Sequence, residues 1–373
     1  MQIIRSATFE GMCDSNGFPT DKYKELYETL STNGVKTMIT GFMYISDQGR
    51  AMQSGQAGID NADKIDAYKE ITDVVHKNGS QIIAQIAHTG RQTTNTGFEI
   101  VGVSDKKSRY FNEKPKELTT EQVYEIIEQF VNSAHYVQKA GFDGVQLHAA
   151  HGYLIHQFLL PSINNRTDEF KDGILFLQNI VAGIREKCGA FPIWLKVSGG
   201  VDIENYTKKQ FADLIKKIDK LRVSAIEVSY GTMDNALNIF RGDIPIKAVL
   251  KHNPIYNKKS TLWKIFILPL LKIKIKKFTP MYNLEYAKIA KENTDIPIFA
   301  VGGFRNGSEI LNCELDGVSL CRPFICEPDF MLKLEHNNNY ISKCINCNLC
   351  AIMTDTEYSL NCFGGKKSGS KNN

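Results

Sequence analysis

Short apolar segments recur along the chain, and stretches with helical periodicity lie between many of them. The eight apolar segments are Ile3–Phe9, Val35–Phe42, Gln81–His88, Gly144–Ala150, Pro192–Ser198, Ala225–Tyr230, Pro297–Gly303 and Gly317–Arg322. Their nearly continuous apolar character is typical of strands that are buried on both faces. The clearest helical patterns are Asp63–Lys77, Thr120–Ala140, Gly173–Lys187, Thr207–Leu221 and Asn283–Asn293. Thr119 and Gln122 have the spacing of a helix-capping pair.

Eight strands that alternate with helices predict a parallel (β/α)₈ barrel, an α/β fold. The alternative is an open doubly wound sheet, but no Gly-x-Gly-x-x-Gly sequence opens a helix. We therefore expect residues 1–330 to form the barrel, with 232–282 inserted as a lid. Residues 331–373 form a cysteine-rich C-terminal segment that ends in a disordered tail.

Charge and hydropathy narrow the class of protein. The 373 residues carry a net charge of +4, from 45 Lys and Arg against 41 Asp and Glu, which is too weak to indicate nucleic-acid binding. No apolar run is long enough to span a membrane and no secretory signal is visible, so we expect a cytoplasmic protein. The lysine-rich stretch 251–277 is interpreted as part of the lid. Binding of an acidic cofactor such as coenzyme A, or of a membrane surface, is the alternative.

Four of the nine cysteines lie close together near the C-terminus, in the pattern Cys344-x₂-Cys347-x₂-Cys350-x₁₁-Cys362. This crowding favours a reduced compartment and a metal or cluster site over a disulfide framework. Three closely spaced cysteines and a distant fourth are a standard iron–sulfur arrangement. Structural zinc on the same four thiolates, or free thiols, are the alternatives.

The residues that end the predicted strands are candidates for chemistry, because catalytic groups of a barrel lie at that face. They are rich in hydrogen-bond donors and contain almost no carboxylate, which disfavours glycosidase or metal-hydrolase chemistry. Gly302, Gly303, Cys321 and Arg322 follow strands seven and eight, where barrels commonly bind phosphate; a tight turn is the alternative. His148 and His151 are candidate donors to a substrate oxygen, with a metal pair or packed core histidines as alternatives.

The run Gly141-Phe-Asp-Gly-Val-Gln-Leu-His148-Ala-Ala-His151-Gly-Tyr153 closely resembles the old yellow enzyme family of NADH:flavin oxidoreductases. Further matches are Ser6-Ala7-Thr8, Gln85-Ile-Ala-His88, Ala300-Val-Gly-Gly303 and Leu320-Cys-Arg-Pro323. The family consists of barrels that contain flavin mononucleotide (FMN) and reduce activated alkenes with NADH or NADPH. The cysteine run resembles that of its larger members, including 2,4-dienoyl-CoA reductase and trimethylamine dehydrogenase, which hold a four-iron four-sulfur cluster there.

The resemblance implies a role for each matching residue. Ser6, Ala7, Thr8 and Gly41 would border the flavin, Gln85 would bind its pyrimidine edge, and Lys196 would lie beside N1 and O2. Gly302, Gly303, Cys321 and Arg322 would hold the phosphate. His148 and His151 would bind the substrate oxygen, and Tyr153 would deliver a proton. Cys344, Cys347, Cys350 and Cys362 would hold the cluster.

Three departures from the family affect the functional hypothesis. The chain begins almost at strand one, so an N-terminal truncation is one expectation. We expect the chain to lack the second flavin and NAD(P)H domains of the larger members, and Lys196 stands where many alkene reductases have Arg. The leading hypothesis is an FMN-dependent enzyme that uses NAD(P)H to reduce an enone or enoyl-type substrate. The alternatives are an electron-transfer subunit served by a separate reductase and a non-catalytic barrel. A homo-oligomer is compatible with both the reductase and the electron-transfer subunit.

Overall fold

Eight parallel strands close into a barrel in a computed structural model that describes residues 1–94, 96–202, 206–253, 255–259 and 276–364. The barrel strands are β1 (Gln2–Arg5), β2 (Thr37–Ile39), β3 (Gln81–Ala87), β4 (Gly144–Ala149), β5 (Ile193–Ser198), β6 (Ala225–Ser229), β7 (Ile298–Val301) and β8 (Gly317–Leu320). Each lies in or overlaps one of the eight predicted segments. The prediction of a (β/α)₈ barrel is confirmed.

Every barrel strand pairs in parallel with its two neighbours, and β1 joins the ends of the sheet. Gln2 of β1 lies opposite Gly317 of β8, and Arg5 lies opposite Met38 of β2. On the other side, Thr37 of β2 lies opposite Gln81 of β3. In the described ranges, three two-residue strands lie outside this ring: Met43–Tyr44, which extends beside β3, and Val101–Gly102 and Lys116–Glu117, which pair with each other.

Twelve α-helices lie within the described residues. They are α1 (Asp21–Thr32), α2 (Ile65–Lys77), α3 (Thr120–Lys139), α4 (Leu154–Leu159), α5 (Ile174–Cys188), α6 (Lys208–Asp219), α7 (Ile246–His252), α8 (Leu284–Lys291), α9 (Gly307–Leu311), α10 (Arg322–Cys326), α11 (Phe330–His336) and α12 (Leu349–Met353). The five predicted helices correspond to α2, α3, α5, α6 and α8, with ends shifted by a few residues. No helix in the described parts of the chain is long and apolar enough to cross a membrane.

Local sequence explains where α3 begins and which face it buries. Thr119 Oγ1 accepts a hydrogen bond from the Gln122 backbone N–H, and the Gln122 side chain accepts one from the Thr119 N–H. This capping box satisfies two N–H groups at the helix start. Buried apolar residues then follow at a spacing of three or four, from Val123 through Phe130 to Val137, and bury one face of the helix.

The barrel interior changes from apolar to polar along the strands. At the lower end, Ile4, Ile39, Ile83, Ala225 and Phe299 form a small buried cluster. Above it, strands β3 to β6 contribute the buried side chains of Gln85, Gln146, Lys196 and Glu227. The barrel is therefore a packed apolar plug below a polar layer, and the polar layer faces the loops at the carboxyl ends of the strands.

Several predicted strands extend further than the observed ones, because their last residues leave the sheet. Ser6 to Phe9 continue the apolar pattern of β1 but form no ladder, and they line a cavity instead. The predicted lid, 232–282, does lie between β6 and β7, but residues 254 and 260–275 are outside the described part of the chain. The predicted disordered tail, 365–373, also lies outside it.

The C-terminal segment packs back onto the first strand-to-helix connection. The Leu360 N–H donates to the Glu10 carbonyl oxygen, and Ser359 Oγ donates to the Gly11 carbonyl oxygen at 3.0 Å. Gln53 also bonds Asp355, at 2.9 Å. These contacts place residues from 344 to 360 over the same barrel face to which the strand ends point.

Candidate active site

A cavity of about 260 Å³ opens at the carboxyl ends of the strands. Its wall contains nearly all the residues that the sequence singled out for cofactor and substrate: Ser6, Ala7, Thr8, Gln85, His148, His151, Tyr153, Lys196, Gly302, Gly303, Cys321 and Arg322. We call it the inner cavity. Gly41 does not line it; its N–H donates to Glu10 Oε1 at 2.8 Å behind Thr8. A larger outer cavity of about 780 Å³ adjoins it.

A buried ion pair forms the floor of the inner cavity. Lys196 Nζ of β5 lies 2.9 Å from Glu227 Oε2 of β6, and the two side chains expose 4% and 0% of their surface. Ser6 Oγ donates to Glu227 at 2.6 Å and accepts from Lys196 at 2.9 Å. Burial favours the neutral acid, but Lys196 and Ser6 outweigh it and lower the pKa of Glu227. Glu227 is therefore a carboxylate that compensates the charge of Lys196.

Two glutamines extend this network across the barrel. Gln146 Nε2 donates to Glu227 Oε2 at 3.1 Å, and Gln85 Nε2 donates to Gln146 Oε1 at 2.6 Å. The chain of bonds fixes the orientation of the Gln85 amide. Its NH₂ group is turned towards Gln146, so its carbonyl oxygen remains as an acceptor for a donor group on a bound ligand.

His148 presents a neutral imidazole to the cavity. Burial, the charge of Lys196 and the neighbouring His156 hold its pKa well below the ordinary value. Its Nδ1 accepts a hydrogen bond from the Ala150 N–H at 3.3 Å. In a neutral ring the proton then resides on Nε2, which makes Nε2–H the donor.

The backbone holds His151 in an unusual conformation. Its φ is +61°, in the left-handed region that few non-glycine residues adopt. The His151 N–H donates to Ser198 Oγ at 3.1 Å, and its ring Nε2 lies 2.9 Å from Ser229 Oγ. Burial and nearby His148 and Lys196 keep its pKa well below the ordinary value. The conformation brings the two imidazole rings to a centroid separation of 4.9 Å.

Tyr153 lies against His148 and Phe42 on the same wall. Its ring centroid is 4.7 Å from that of His148 and 5.3 Å from that of Phe42. Burial and the charge of Asp355 raise the pKa of its phenol above the ordinary value. Tyr153 is therefore fully protonated near neutral pH, and the aromatic contacts hold it beside the imidazole pair.

Gly302 and Gly303 adopt φ values of +127° and +81°, which side chains disfavour. A Cβ on Gly302 would lie 2.6 Å from the Tyr282 ring, and one on Gly303 would lie 2.8 Å from the Met281 nitrogen. Close packing against residues 279–283 thus requires both glycines, whatever ligand their N–H groups bind. Arg322, nearby, donates to the Arg241 carbonyl oxygen at 2.8 Å and to Asn348 at 2.9 Å.

Two carboxylates that do not belong to the strand-end residues also lie at the site. Glu227 lies inside the barrel beneath the cavity, and Asp355 lines its wall. Glu227 occurs in the middle of a strand that was predicted to be buried, and an acid in such a place is itself a sequence signal. Asp355 lies far from any strand end, and only the fold back of the C-terminal segment brings it here.

The four C-terminal cysteines line one small cavity, together with Cys326 of α10. Two of them, Cys344 and Cys350, also line the inner cavity. All nine cysteines of the chain are free, and burial raises the pKa of Cys350 to about 12. As placed, no three metal-ligating side chains among the described residues converge closely enough to hold an ion.

Comparison with known proteins identifies the family. Residues 2–236 match the model of the NADH:flavin oxidoreductase / NADH oxidase family. The chain belongs to this family. The resemblance inferred from the sequence motifs is thereby confirmed, and the matched region contains the imidazole pair, Tyr153 and the Lys196–Glu227 ion pair.

Several members of the family that resemble the chain are longer proteins. An NADH oxidase of Thermoanaerobacter brockii is 27% identical over 366 residues, which cover 94% of this chain and 51% of that protein. A cinnamate reductase of Clostridium sporogenes is 28% identical over 362 residues, covering 90% and 51%. The chain thus spans about half the length of these relatives. An old yellow enzyme homologue of Zymomonas mobilis shares the fold, with a TM-score of 0.70, 20% identity and coverage of 93% and 91%.

The Lys196–Glu227 ion pair predicts strong energetic coupling. Lys196→Met or Glu227→Gln alone leaves one buried charge uncompensated, so each is expected to lower the free energy of unfolding by about 3–5 kcal/mol. The double variant removes both charges and should lose less than the sum, by about 1–3 kcal/mol. Denaturant unfolding of the four proteins measures this coupling. Strictly additive losses would contradict the ion pair.

Proposed function

We propose that this chain is an FMN-dependent oxidoreductase that uses NADH or NADPH to reduce the C=C bond of an activated alkene. The observation that carries the proposal is the convergence of three groups on one wall of the inner cavity. The imidazoles of His148 and His151 and the phenol of Tyr153 lie side by side there, in the same cavity that the residues suited to a flavin line. The similarity to a cinnamate reductase of Clostridium sporogenes also supports the proposal.

The residues present fit FMN in their chemistry. Ser6, Ala7 and Thr8 would lie along the ring system, and Gln85 would accept a hydrogen bond from its pyrimidine edge. Gly302, Gly303, Cys321 and Arg322 would hold the phosphate through N–H groups and a guanidinium. When bound, FMN supplies a hydride that it has received from the nicotinamide.

Lys196 would lie beside the part of the flavin that becomes negative on reduction. Because Glu227 compensates the charge of Lys196, the pair as a whole carries no net charge next to the flavin. Lys196 then contributes a local field and a hydrogen-bond donor, and Glu227 tempers the effect of its charge on the flavin. A cation paired in this way also avoids the cost of an isolated buried charge.

The imidazole pair polarises the substrate. The Nε2–H of His148 can donate to the carbonyl oxygen of an enone, and His151 lies close enough to act on the same oxygen. Both rings are neutral donors because their pKa values lie well below neutrality. Charge drawn onto the oxygen leaves the β-carbon electron-poor, so that it accepts hydride more readily.

Tyr153 completes the reduction by giving its phenolic proton to the α-carbon. Its raised pKa makes it a weak acid, so it does not ionise before the substrate develops negative charge. The outer cavity shares part of its wall with the inner one, including Gln53, Met233 and Phe240. This adjoining space suits a substrate that extends well beyond the reacting double bond.

A second candidate function, electron transfer through a cluster, is favoured by the position of the cysteines. Cys344, Cys347, Cys350 and Cys362 surround a common cavity, and two of these thiols also face the inner cavity. Four thiols around one small space suit an iron–sulfur cluster, which these residues would hold as thiolates. Electrons could then pass between such a cluster and the flavin over a short distance.

Replacement of both histidines tests the enzymatic proposal. His148→Ala combined with His151→Ala is expected to reduce the rate of enone reduction by about 10²–10³ or more, because oxyanion donors are lost. Bound flavin, released and identified as FMN by chromatography, should remain stoichiometric. His135→Ala, on the outer helix α3, is the matched control and should behave as wild type. A double variant with the wild-type rate would refute the role of the pair.

Metal analysis tests the cluster. Protein purified without oxygen is expected to contain about four iron and four sulfide per chain. Cys350→Ser should lose them, whereas Cys313→Ser, which changes a thiol outside the cavity, should retain them. Stoichiometric zinc without sulfide would overturn the assignment and make the segment a structural clasp.

A further inference from the structure

Asp355 occupies the boundary between the two cavities. It follows α12 in the C-terminal segment and lines both the inner and the outer cavity. Gln53 Nε2 donates to its Oδ1 at 2.9 Å, and Asn253 Nδ2 donates to its Oδ2 at 3.4 Å. Amides from two separate parts of the chain thus hold the carboxyl group at the entrance to the site.

Among the described residues, Asp355 accepts hydrogen bonds from two uncharged amides, those of Gln53 and Asn253. Burial raises the pKa of Asp355 to about 6, and the bonds from Gln53 and Asn253 only partly oppose this. Tyr153 lines the inner cavity together with Asp355, and Tyr110 lines the outer cavity with it and accepts a hydrogen bond from the same Asn253 amide. The charge of Asp355 raises the pKa of both phenols. The charged residues that line the outer cavity with it are Arg109, Asp202, Asp234 and Lys259, and those that line the inner cavity with it are Lys196, Arg305 and Arg322.

We propose that Asp355 controls proton donation by Tyr153, with the charged carboxylate opposing formation of the phenolate and the protonated carboxyl group permitting it. Asp355 does not contact the substrate in this proposal; it acts on the reaction only through the effect of its charge on Tyr153. The inference rests on the proposed function, because it concerns the proton that Tyr153 gives to the substrate.

The proton-transfer step is balanced without any change of oxidation state. The O–H bond of Tyr153 breaks, the proton bonds to the α-carbon of the substrate, and the electron pair stays on the phenolate oxygen. That oxygen is then negative, and it shares the inner cavity with Asp355. Two negative charges that line the same poorly solvated cavity repel each other. The phenolate later regains a proton from solvent, for which the outer cavity provides a path.

The rate of substrate reduction is expected to depend on whether Asp355 is protonated. Below about pH 6 it is mostly protonated, so a phenolate at Tyr153 meets no neighbouring charge. Above that pH it is ionised, and donation by Tyr153 becomes slower. We therefore expect substrate reduction to slow as pH rises through this range, by about tenfold, the effect of one pKa unit of coupling.

The test uses the FMN-loaded protein, reduced with dithionite without oxygen and mixed with 2-cyclohexen-1-one between pH 5 and 8.5. Reoxidation of the flavin is followed by absorbance. Wild-type protein should slow about tenfold across the range. Asp355→Asn should keep the fast rate throughout, so that at pH 8 it exceeds wild type. Asp355→Glu should slow as wild type does. Asp143→Asn, at the opposite end of the barrel, is the matched control and should not alter the profile.

Other outcomes overturn the inference. If Asp355→Asn is slower than wild type at every pH, or keeps the pH dependence, Asp355 does not act on Tyr153 through its charge. Should that variant fail to fold, Gln53→Met provides the second test. Loss of the hydrogen bond from Gln53 favours the protonated acid, so the pH at which the rate falls should increase. An unchanged midpoint would refute the inference. Wild-type reduced flavin that the enone does not reoxidise refutes the proposed function itself.

Discussion

The ion pair between Lys196 and Glu227 is the constraint on which the active face depends. A lysine inside a barrel is tolerated only if a partner compensates it, and the neighbouring strand supplies that partner at 2.9 Å. Ser6 and Gln146 then use the remaining hydrogen-bonding capacity of Glu227. With Gln85 included, the network connects the four strands β3 to β6. It lies between the apolar plug below and the open cavity above.

This division explains how one barrel face can hold both a cofactor and a substrate. The paired charges at the floor suit the electron-rich part of a flavin, whereas the wall above carries neutral donors. His148 and His151 are kept neutral partly by the same Lys196 that Glu227 holds in place. The electrostatics of the proposed cofactor and substrate sites are therefore coupled, and a change at Glu227 is expected to affect both.

The barrel could be predicted from sequence because each strand is an apolar segment buried on both faces. The placement of His148, Lys196 and Arg322 around one cavity could be predicted because strand ends in a barrel meet at one face. The resemblance of the His148 to Tyr153 run to a known family pointed to the same face. The strand lengths were predicted less well. Residues such as Phe9 are apolar because they line a cavity, which a hydrophobic pattern does not distinguish from a ladder.

Long-range folding accounts for what the sequence did not predict. Asp355 is an acid in a polar segment, where the sequence predicts an exposed side chain. It lines the cavity because hydrogen bonds from Leu360 and Ser359 attach that segment to Glu10 and Gly11. Gly302 and Gly303 were interpreted through phosphate binding or a tight turn. The two glycines pack against Met281 and Tyr282, which belong to the predicted insertion. The local sequence pattern does not predict this contact between two separate parts of the chain.

Isotope transfer to an enone tests most directly that this face reduces alkenes. The protein, without oxygen, would be given 2-cyclohexen-1-one and NADH or NADPH that carries two deuterium atoms at nicotinamide C4, and the product would be analysed by mass spectrometry and NMR. The expected product is cyclohexanone with one deuterium at the β-carbon. Oxidation of the nicotinamide without a saturated ketone, or formation of the allylic alcohol, would contradict the proposed roles of His148, His151 and Tyr153.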